Sequence, residues 1–192
     1  MSETLQPVPF WFLRHGETDW NARGLSQGNI DVPLNDTGVA QARAAALLLR
    51  NRGVAAIVSS PLSRARDTAT MVGEALTLPV AIDDDLHEVS FGTQEAQPMA
   101  GAWFAAWVEG AATPPDAESF AALRARAVAA VNRALLLPCP VLVVAHGAFF
   151  RALRAEMGLE ANVRTANAMP ILCSPGPPQR RLPWELTPAI PA

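Results

Sequence analysis

Two histidine-glycine pairs are the residues of this chain best suited to do chemistry. The sequence has three histidines and twelve glycines among 192 residues, yet it contains both His15-Gly16 and His146-Gly147. An apolar run precedes each pair, residues 10–13 followed by Arg14 in the first case and residues 141–145 in the second. Packing at a strand end would account for one such histidine. Two in the same context indicate a shared site.

The positions of these pairs predict a cationic pocket. Short apolar runs predict buried strands, and ligands of open α/β sheets bind beyond the carboxyl ends of the strands. Arg64 follows a third apolar run, residues 54–58, and falls in the first turn of the helix predicted after it. Arg14, Arg64 and the two histidines would then lie together. Because guanidinium groups hold phosphoryl oxygens through paired hydrogen bonds, this cluster favours a phosphate monoester over a carboxylate.

The two histidines are not expected to behave alike. Neighbouring arginines lower the pKa of an imidazole from its usual value of about 6.5, so a neutral ring can attack phosphorus. One histidine can be that nucleophile, and the other can donate a hydrogen bond to the transferred group. Glu88 is the candidate acid for the leaving oxygen, because a carboxyl group beside a dianionic substrate retains its proton more tightly. The three aspartates at 83–85 are instead expected to form a solvated turn.

Alternating strands and helices must position these residues. This alternation predicts an α/β fold, a three-layer α/β/α sandwich with a mostly parallel central sheet. The predicted strands cover residues 8–13, 54–58, 79–82, 141–145 and 169–173, and the predicted helices cover 39–52, a segment from 61 onward, part of 98–113, 120–137 and 148–157. Ser60 is expected to cap the helix that carries Arg64, with Pro61 in its first turn.

A single domain is expected to span residues 1–192, with a loose lead at 1–7 and a proline-rich tail at 175–192. Prolines in that tail exclude regular helix and central strand, so an extended segment or irregular hairpin is predicted. Trp103 and Trp107 are spaced i and i+4, which fits either core packing or the cap of a pocket.

Composition limits the partners. The net charge is -3 and the isoelectric point is about 5.6, which argues against nucleic-acid and anionic-membrane surfaces. Neither a signal peptide nor a bilayer-spanning apolar stretch is evident, so a soluble cytoplasmic protein is expected. The histidine and cysteine spacing predicts no metal site, and no cofactor is required. The expected partner is a small phosphorylated substrate, and the oligomeric state is left open.

Several further motifs extend this pattern over residues 8–155, in which the sequence resembles the histidine phosphatase superfamily, in its phosphoglycerate-mutase-like branch. The motifs that carry the resemblance are Arg14-His15-Gly16-Glu17-Thr18, Trp20-Asn21, Gln27-Gly28, Ser60-Pro61-Leu62-Ser63-Arg64-Ala65, Leu86 with Glu88 and Gly92, and Val143 to Gly147.

The resemblance implies a phosphohistidine intermediate on His15. It implies that Arg14, Arg64 and His146 form the phosphate pocket, and that Glu88 donates the proton. It adds Asn21 and the backbone of Gly147 as phosphate contacts. The pair Gln27-Gly28 resembles the phosphatase members of the branch, since the mutases tend to have Thr-Gly there. Two stretches depart from the family pattern, residues 93–96 and 115–119, and both are expected at the pocket rim, where they would affect substrate preference.

Three functions remain open. The preferred hypothesis is a metal-independent phosphomonoesterase that acts on a small phosphorylated metabolite. It rests on two features. The segment between Glu88 and His146 is short and lacks the insertion that the glycolytic mutases share. The chain also has no Lys or Tyr, which those mutases use to hold the substrate carboxylate. The alternatives are a 2,3-bisphosphoglycerate-dependent phosphoglycerate mutase and a non-catalytic phosphate-binding or scaffold protein.

Overall fold

A computed structural model describes residues 3–99, 101–177, 179–180 and 182–190. Its strands are β1 Phe10–Arg14, β2 Ala56–Ser59, β3 Val80–Ile82, β4 Val141–Ala145, β5 Ile171–Ser174 and β6 Glu185–Pro188. Its α-helices are α1 Asp19–Ala22, α2 Asp36–Leu49, α3 Ser63–Leu76, α4 Ala102–Val108, α5 Phe120–Ala134 and α6 Gly147–Glu156.

The six strands form one sheet in the order β3-β2-β4-β1-β5-β6. The first four are parallel, while β5 runs antiparallel to β1 and β6 antiparallel to β5. This arrangement confirms the prediction of a mostly parallel sheet. β1 and β4 are central neighbours, so the two His-Gly pairs that follow them emerge at the same edge.

Alternate side chains of β1 point into two separate cores, because successive residues of a strand face opposite sides of the sheet. Phe10 and Phe12 join the core beneath α4, α5 and α6, and Trp11 and Leu13 join the core beneath α2 and α3. Helices therefore cover both faces, as the predicted three-layer fold requires. Among the described residues, no helix is both long and apolar enough to cross a bilayer.

Two predicted helix starts are wrong. α2 begins at Asp36, three residues before the predicted start, because the Asn35 side chain accepts a hydrogen bond from the Gly38 N–H at 2.8 Å and caps the first turn. α3 begins at Ser63, and no side chain caps it. Ser60 and Pro61 therefore lie before the helix, and the Ser60 hydroxyl is bonded elsewhere.

The two ends of the chain contact different parts of the fold. At residues 3–7 the Asn132 side chain of α5 donates to the Glu3 carboxylate and the Thr4 carbonyl and accepts from the Gln6 N–H, each at 2.9 Å. Residues 1–2 lie outside the described part. Within the tail, for which an extended segment or irregular hairpin is predicted, residues 185–188 form β6 on the sheet edge, antiparallel to β5, where Pro188 interrupts no inner ladder. Within the tail, residues 178, 181, 191 and 192 are not described.

Candidate active site

His15 lies at the end of β1, with its ring held in one orientation. Its N–H donates to the Ala145 carbonyl at 3.0 Å, which extends the β1–β4 ladder by one residue. The ring Nδ1 is 2.6 Å from the Gly16 carbonyl oxygen. A carbonyl only accepts, so this contact assigns the proton to Nδ1 and leaves a lone pair on Nε2. The His15 ring is thus set up as a nucleophile through Nε2.

Gly16 fixes the turn after His15 by close backbone contact. A Cβ on Gly16 would lie 2.4 Å from the Gly38 carbonyl oxygen, so only glycine fits against the start of α2. The Gly16 N–H donates to the Thr68 hydroxyl of α3 at 3.0 Å. Two helices on one face of the sheet therefore hold the loop that carries the histidine.

Two arginines flank the histidine, of which Arg64 is fully buried and Arg14 is half-buried. Arg14 donates from Nη1 to the Thr165 carbonyl at 2.7 Å, and Arg64 donates to the carbonyls of Ile30 and Gly28, both at 2.8 Å. Burial lowers the pKa of each arginine to about 10, so both remain charged at neutral pH. The Nε atoms of both are buried without a hydrogen-bond partner among the described residues. Such donors need an acceptor, which an anion can supply.

His146 lies next to His15. It is fully buried, its ring centroid lies 5.3 Å from that of His15, and its Nε2 is 2.8 Å from the Ser60 hydroxyl. Its Nδ1 has no partner within the described residues.

Both rings are held neutral. Burial, and then the positive charges of Arg14 and Arg64, lower the pKa of His15 well below 6.5. Burial and the charge of Arg64 lower the pKa of His146 in the same direction. A neutral imidazole is the form that can attack phosphorus, so the electrostatics suit the predicted chemistry.

Glu88 caps helix α6 from a separate segment. His146 is the N-cap residue of α6, but its side chain makes no capping hydrogen bond. Instead the Glu88 carboxylate accepts from the N–H groups of Ala148 and Phe149, both at 3.0 Å, and from the Val89 N–H at 3.0 Å. A carboxylate has about four acceptor positions, so one remains for a proton. The Gly147 N–H is not used by Glu88 and lies at the cavity wall.

Asn21 lies on α1, and Gln27 and Gly28 lie on the irregular segment that follows this helix. Thr18 links two of them, since its hydroxyl accepts from the Asn21 N–H at 3.1 Å and donates to the Gln27 side chain at 3.0 Å. Gly28 has a positive φ of 51°, which favours glycine, and this backbone turns its carbonyl toward Arg64. The loop and Arg64 thus fix one another.

Together these residues enclose a small cavity of about 70 Å³. Its wall contains eight of the nine predicted site residues: Arg14, His15, Asn21, Gln27, Gly28, Arg64, Glu88 and Gly147. His146 is the exception, since it is fully buried beside His15 and does not line the cavity. The cavity suits a phosphoryl group in size and in charge.

Sequence reasoning missed several wall residues, among them Leu25, Ser26, Met99 and Arg151. Arg151 had a usable signal, because it lies four residues after Gly147 and therefore on the same face of α6. The others lie in irregular segments without a period. Among the described residues, no group of three or more histidine, cysteine or acidic side chains could hold a metal ion.

The tryptophans belong to the core. Trp107 is fully buried and its indole N–H donates to the Glu118 carbonyl at 2.9 Å. Neither Trp107 nor Trp103 lines the cavity, but Phe91, whose ring packs against both, does. The aromatic side of the pocket is therefore carried by Phe91, with the tryptophans as its support.

Comparison with known proteins gives relatives with the same organisation. The family model described as histidine phosphatase superfamily (branch 1) matches residues 10–171. A Yersinia pestis (strain Pestoides F) protein named "Probable phosphoglycerate mutase GpmB" is 36% identical over 147 residues, which cover 71% of this chain and 68% of that protein.

Solved structures match over almost the whole chain. Mycobacterial glucosyl-3-phosphoglycerate phosphatase in complex with VO3 superposes with a TM-score of 0.81 at 32% identity, covering 93% of this chain and 97% of that one. The same phosphatase with inorganic phosphate gives a TM-score of 0.77 at 30% identity, with 94% and 95% covered. With the family model matching most of its length, the chain belongs to the histidine phosphatase superfamily.

Proposed function

We propose that this protein is a metal-independent phosphomonoesterase that works through a phosphohistidine on His15. The observation that carries the proposal is the combination of a free Nε2 lone pair on His15 with buried, unpartnered Nε donors on Arg14 and Arg64. A phosphoryl group bound in the cavity would supply acceptors for both donors and place phosphorus beside the nucleophile.

In the first step, Nε2 of His15 attacks phosphorus and the ester P–O bond breaks. Glu88 gives its proton to the leaving oxygen, so the product departs as a neutral alcohol. The imidazole keeps its Nδ1 proton, and the Gly16 carbonyl, which accepts a hydrogen bond from Nδ1–H, stabilises the positive charge that develops on the ring. Arg14, Arg64 and the Gly147 N–H bind the equatorial oxygens.

In the second step, water attacks phosphorus and the N–P bond breaks. The Glu88 carboxylate accepts a proton from the water, which restores the acid, and inorganic phosphate leaves with His15 neutral again. The Ser60 hydroxyl bonds Nε2 of His146, and the unpartnered Nδ1, when that atom carries the proton, is the donor to an oxygen of the transferred phosphoryl group. No step requires a metal ion.

Hydrolysis of p-nitrophenyl phosphate in the presence of EDTA tests this proposal. We expect His15→Ala to lower kcat by at least about a thousandfold, because loss of the nucleophile removes the covalent route. His87→Gln is the matched control, since His87 is the remaining histidine and its ring bonds the Asp84 carbonyl away from the cavity. Equal rates for wild type and His15→Ala would rule the mechanism out.

The mutase reading is favoured by the Yersinia relative's name. It predicts conversion of 3-phosphoglycerate into 2-phosphoglycerate that depends on 2,3-bisphosphoglycerate, and a direct assay decides it. We expect release of inorganic phosphate to exceed isomerisation. Among the described residues between Glu88 and His146, only Phe91 and Met99 line the cavity. So small a cover would leave the phosphohistidine open to water. Failure to trap labelled phosphate on His15 with any substrate would favour the non-catalytic reading.

A further inference from the structure

A second, larger cavity adjoins the one that encloses His15. Its volume is about 230 Å³, against about 70 Å³ for the first, and the two share the side chains of Arg14, Asn21, Leu25, Met99 and Arg151. The second cavity adds Gly24, Phe104 and Arg164 to this wall. A ligand held by its phosphoryl group in the first cavity would therefore extend its remaining atoms into the second.

Arg151 is fixed as part of this wall. It projects from α6, its Nε donates to the Asn162 side chain at 3.3 Å and its Nη1 to the Gly147 carbonyl at 3.3 Å. Its guanidinium carbon lies 4.9 Å from the centre of the Phe104 ring, a cation–π contact that helps to hold the group at the wall. These partners are all neutral, so the charge of Arg151 is positioned but not paired.

Arg164 faces the same space from the segment between α6 and β5. It is exposed, and the next residue, Thr165, provides the carbonyl that anchors Arg14. Its charge opposes protonation of Arg14 and of Arg151, lowering the pKa of each, so the three guanidinium groups lie within electrostatic reach of one another. Glu88 is the acidic group that acts in the other direction on Arg14 and Arg151.

The charge balance of this cavity is unfavourable without an anion. Three arginines line it, no acidic side chain does, and neither Arg151 nor Arg164 forms a salt bridge within the described residues. A phosphoryl group in the first cavity engages Arg14 and Arg64, which leaves Arg151 and Arg164 for a second anion. The apolar remainder of the wall, Leu25, Met99 and Phe104, fits a short carbon skeleton between the two charges.

We propose that the Arg151–Arg164 cavity is a second anion subsite, and that the substrate is a small organic phosphate with a further carboxylate or phosphate. This inference rests on the proposed function for the identity of the first anion, but binding at the subsite does not depend on turnover.

A matched ligand pair tests the subsite. 3-Phosphoglycerate and glycerol 3-phosphate share one skeleton and differ in carrying a carboxylate or a hydroxymethyl group. In calorimetric titration of the His15→Ala protein, which cannot turn over, we expect 3-phosphoglycerate to bind about tenfold more tightly or better, as charge-assisted hydrogen bonds imply. Glycerol 1,3-bisphosphate, as a third ligand, shows whether a phosphate serves as well as a carboxylate.

Arginine variants in the same background locate the effect. Arg164→Gln and Arg151→Gln should each remove most of the preference for 3-phosphoglycerate. Because Arg151 also lines the first cavity, only Arg164→Gln is expected to change glycerol 3-phosphate binding by less than about twofold. Arg154→Gln is the control, because it removes a positive charge from the same helix at a residue whose Nε bonds the Glu160 carbonyl outside the cavity. If Arg151→Gln misfolds, the exposed Arg164 decides the question alone.

Equal binding of the two ligands, or equal losses for both in the arginine variants, would overturn the subsite. Steady-state kinetics with wild type then separate the two proposals. Turnover of p-nitrophenyl phosphate without any carboxylate preference contradicts the subsite and leaves the phosphatase proposal intact. A carboxylate preference in binding with no hydrolysis of any phosphomonoester supports the subsite and contradicts the phosphatase proposal.

Discussion

The two adjoining cavities are built in different ways. The first is enclosed at the ends of β1, β2 and β4, where His15, Arg64 and Glu88 are buried and bonded to backbone. The second shares Arg14 with the first but takes its other two charged groups from α6 and from an irregular segment, and Arg164 there is exposed. Backbone at strand ends is fixed by the sheet, whereas loop positions vary with little cost to the fold.

This difference suggests a division of labour. Features that every phosphomonoester shares would be recognised in the first cavity, and features that distinguish one substrate from another in the second. Variants of the first cavity should then affect all substrates alike, unless they touch the leaving group, and variants of the second should affect substrates selectively.

Glu88→Gln should give the largest effect that depends on the leaving group. Loss of the acid is expected to lower kcat for alkyl phosphates by about 10² to 10⁴, and for p-nitrophenyl phosphate by less than about tenfold, because nitrophenolate departs without a proton. The amide also turns an NH₂ toward the N–H groups at the start of α6, so thermal unfolding should be recorded for each protein. Equal losses on both substrates would remove Glu88 from the acid role.

Arg64→Gln should lower kcat/KM for every phosphomonoester by about 10² to 10³, with or without a carboxylate on the substrate. The variant loses a donor to the phosphoryl group and also releases the carbonyls of Gly28 and Ile30. Arg66→Gln, two residues along the same helix, removes an exposed arginine and should have no effect. A loss confined to carboxylated substrates would contradict the division between the cavities.

Arg14→Gln should shift the acid limb of the pH profile to higher pH, which lowers the relative activity at pH 5.5 by up to about tenfold. Burial and the charges of Arg14 and Arg64 lower the pKa of His15, so kcat/KM should persist below pH 6.5 in wild type. In Arg14→Gln one of these charges is gone, the pKa of His15 rises, and the activity retained at pH 5.5 relative to pH 7.5 should fall. Using one substrate for both proteins cancels its own ionisation. An unchanged limb would show that His15 does not control it.

The smallest expected effect concerns stability. Because His146 has a lower pKa in the folded protein than in the unfolded chain, the unfolded state binds more protons below pH 6.5. The free energy of unfolding should therefore decrease as the pH falls below 6.5, by up to about 1.4 kcal/mol per pH unit for this residue. In His146→Gln, urea unfolding between pH 6.5 and 5 should show a shallower decrease. The same slope as wild type would argue that the ring is protonated when folded.

The sequence predicted the first cavity better than the second because of where each residue lies. Arg14, His15 and His146 directly follow apolar runs, so strand periodicity places them at one sheet edge. Arg164 lies in the irregular segment between α6 and β5, where no hydrophobic periodicity predicts its position. Only the tertiary path of that segment brings it near Arg151. The bond between Ser60 and His146 joins residues 86 apart and was missed, and Ser60 was assigned to a helix cap.

Helix ends and chain ends show the same limit. The start of α2 depends on the capping side chain of Asn35, and the predicted start at residue 39 is three residues too late. The order of residues 3–7 depends on Asn132, more than a hundred residues away, and no local pattern could have indicated it. Contacts between distant segments decided what local propensity could not.

The hydrogen bonds of Arg64 have a consequence for binding thermodynamics. Its guanidinium is already held by the Gly28 and Ile30 carbonyls before any anion arrives. An arginine side chain loses up to about 2 kcal/mol of rotamer freedom when it is immobilised, and here that loss occurs on folding and not on binding. The proposed binding of phosphate by Arg64 would therefore depend partly on the fixed conformation of residues 28–30. Any change that loosens the turn from Gly28 to Ile30 should weaken phosphate binding, although the altered residue would never touch the anion.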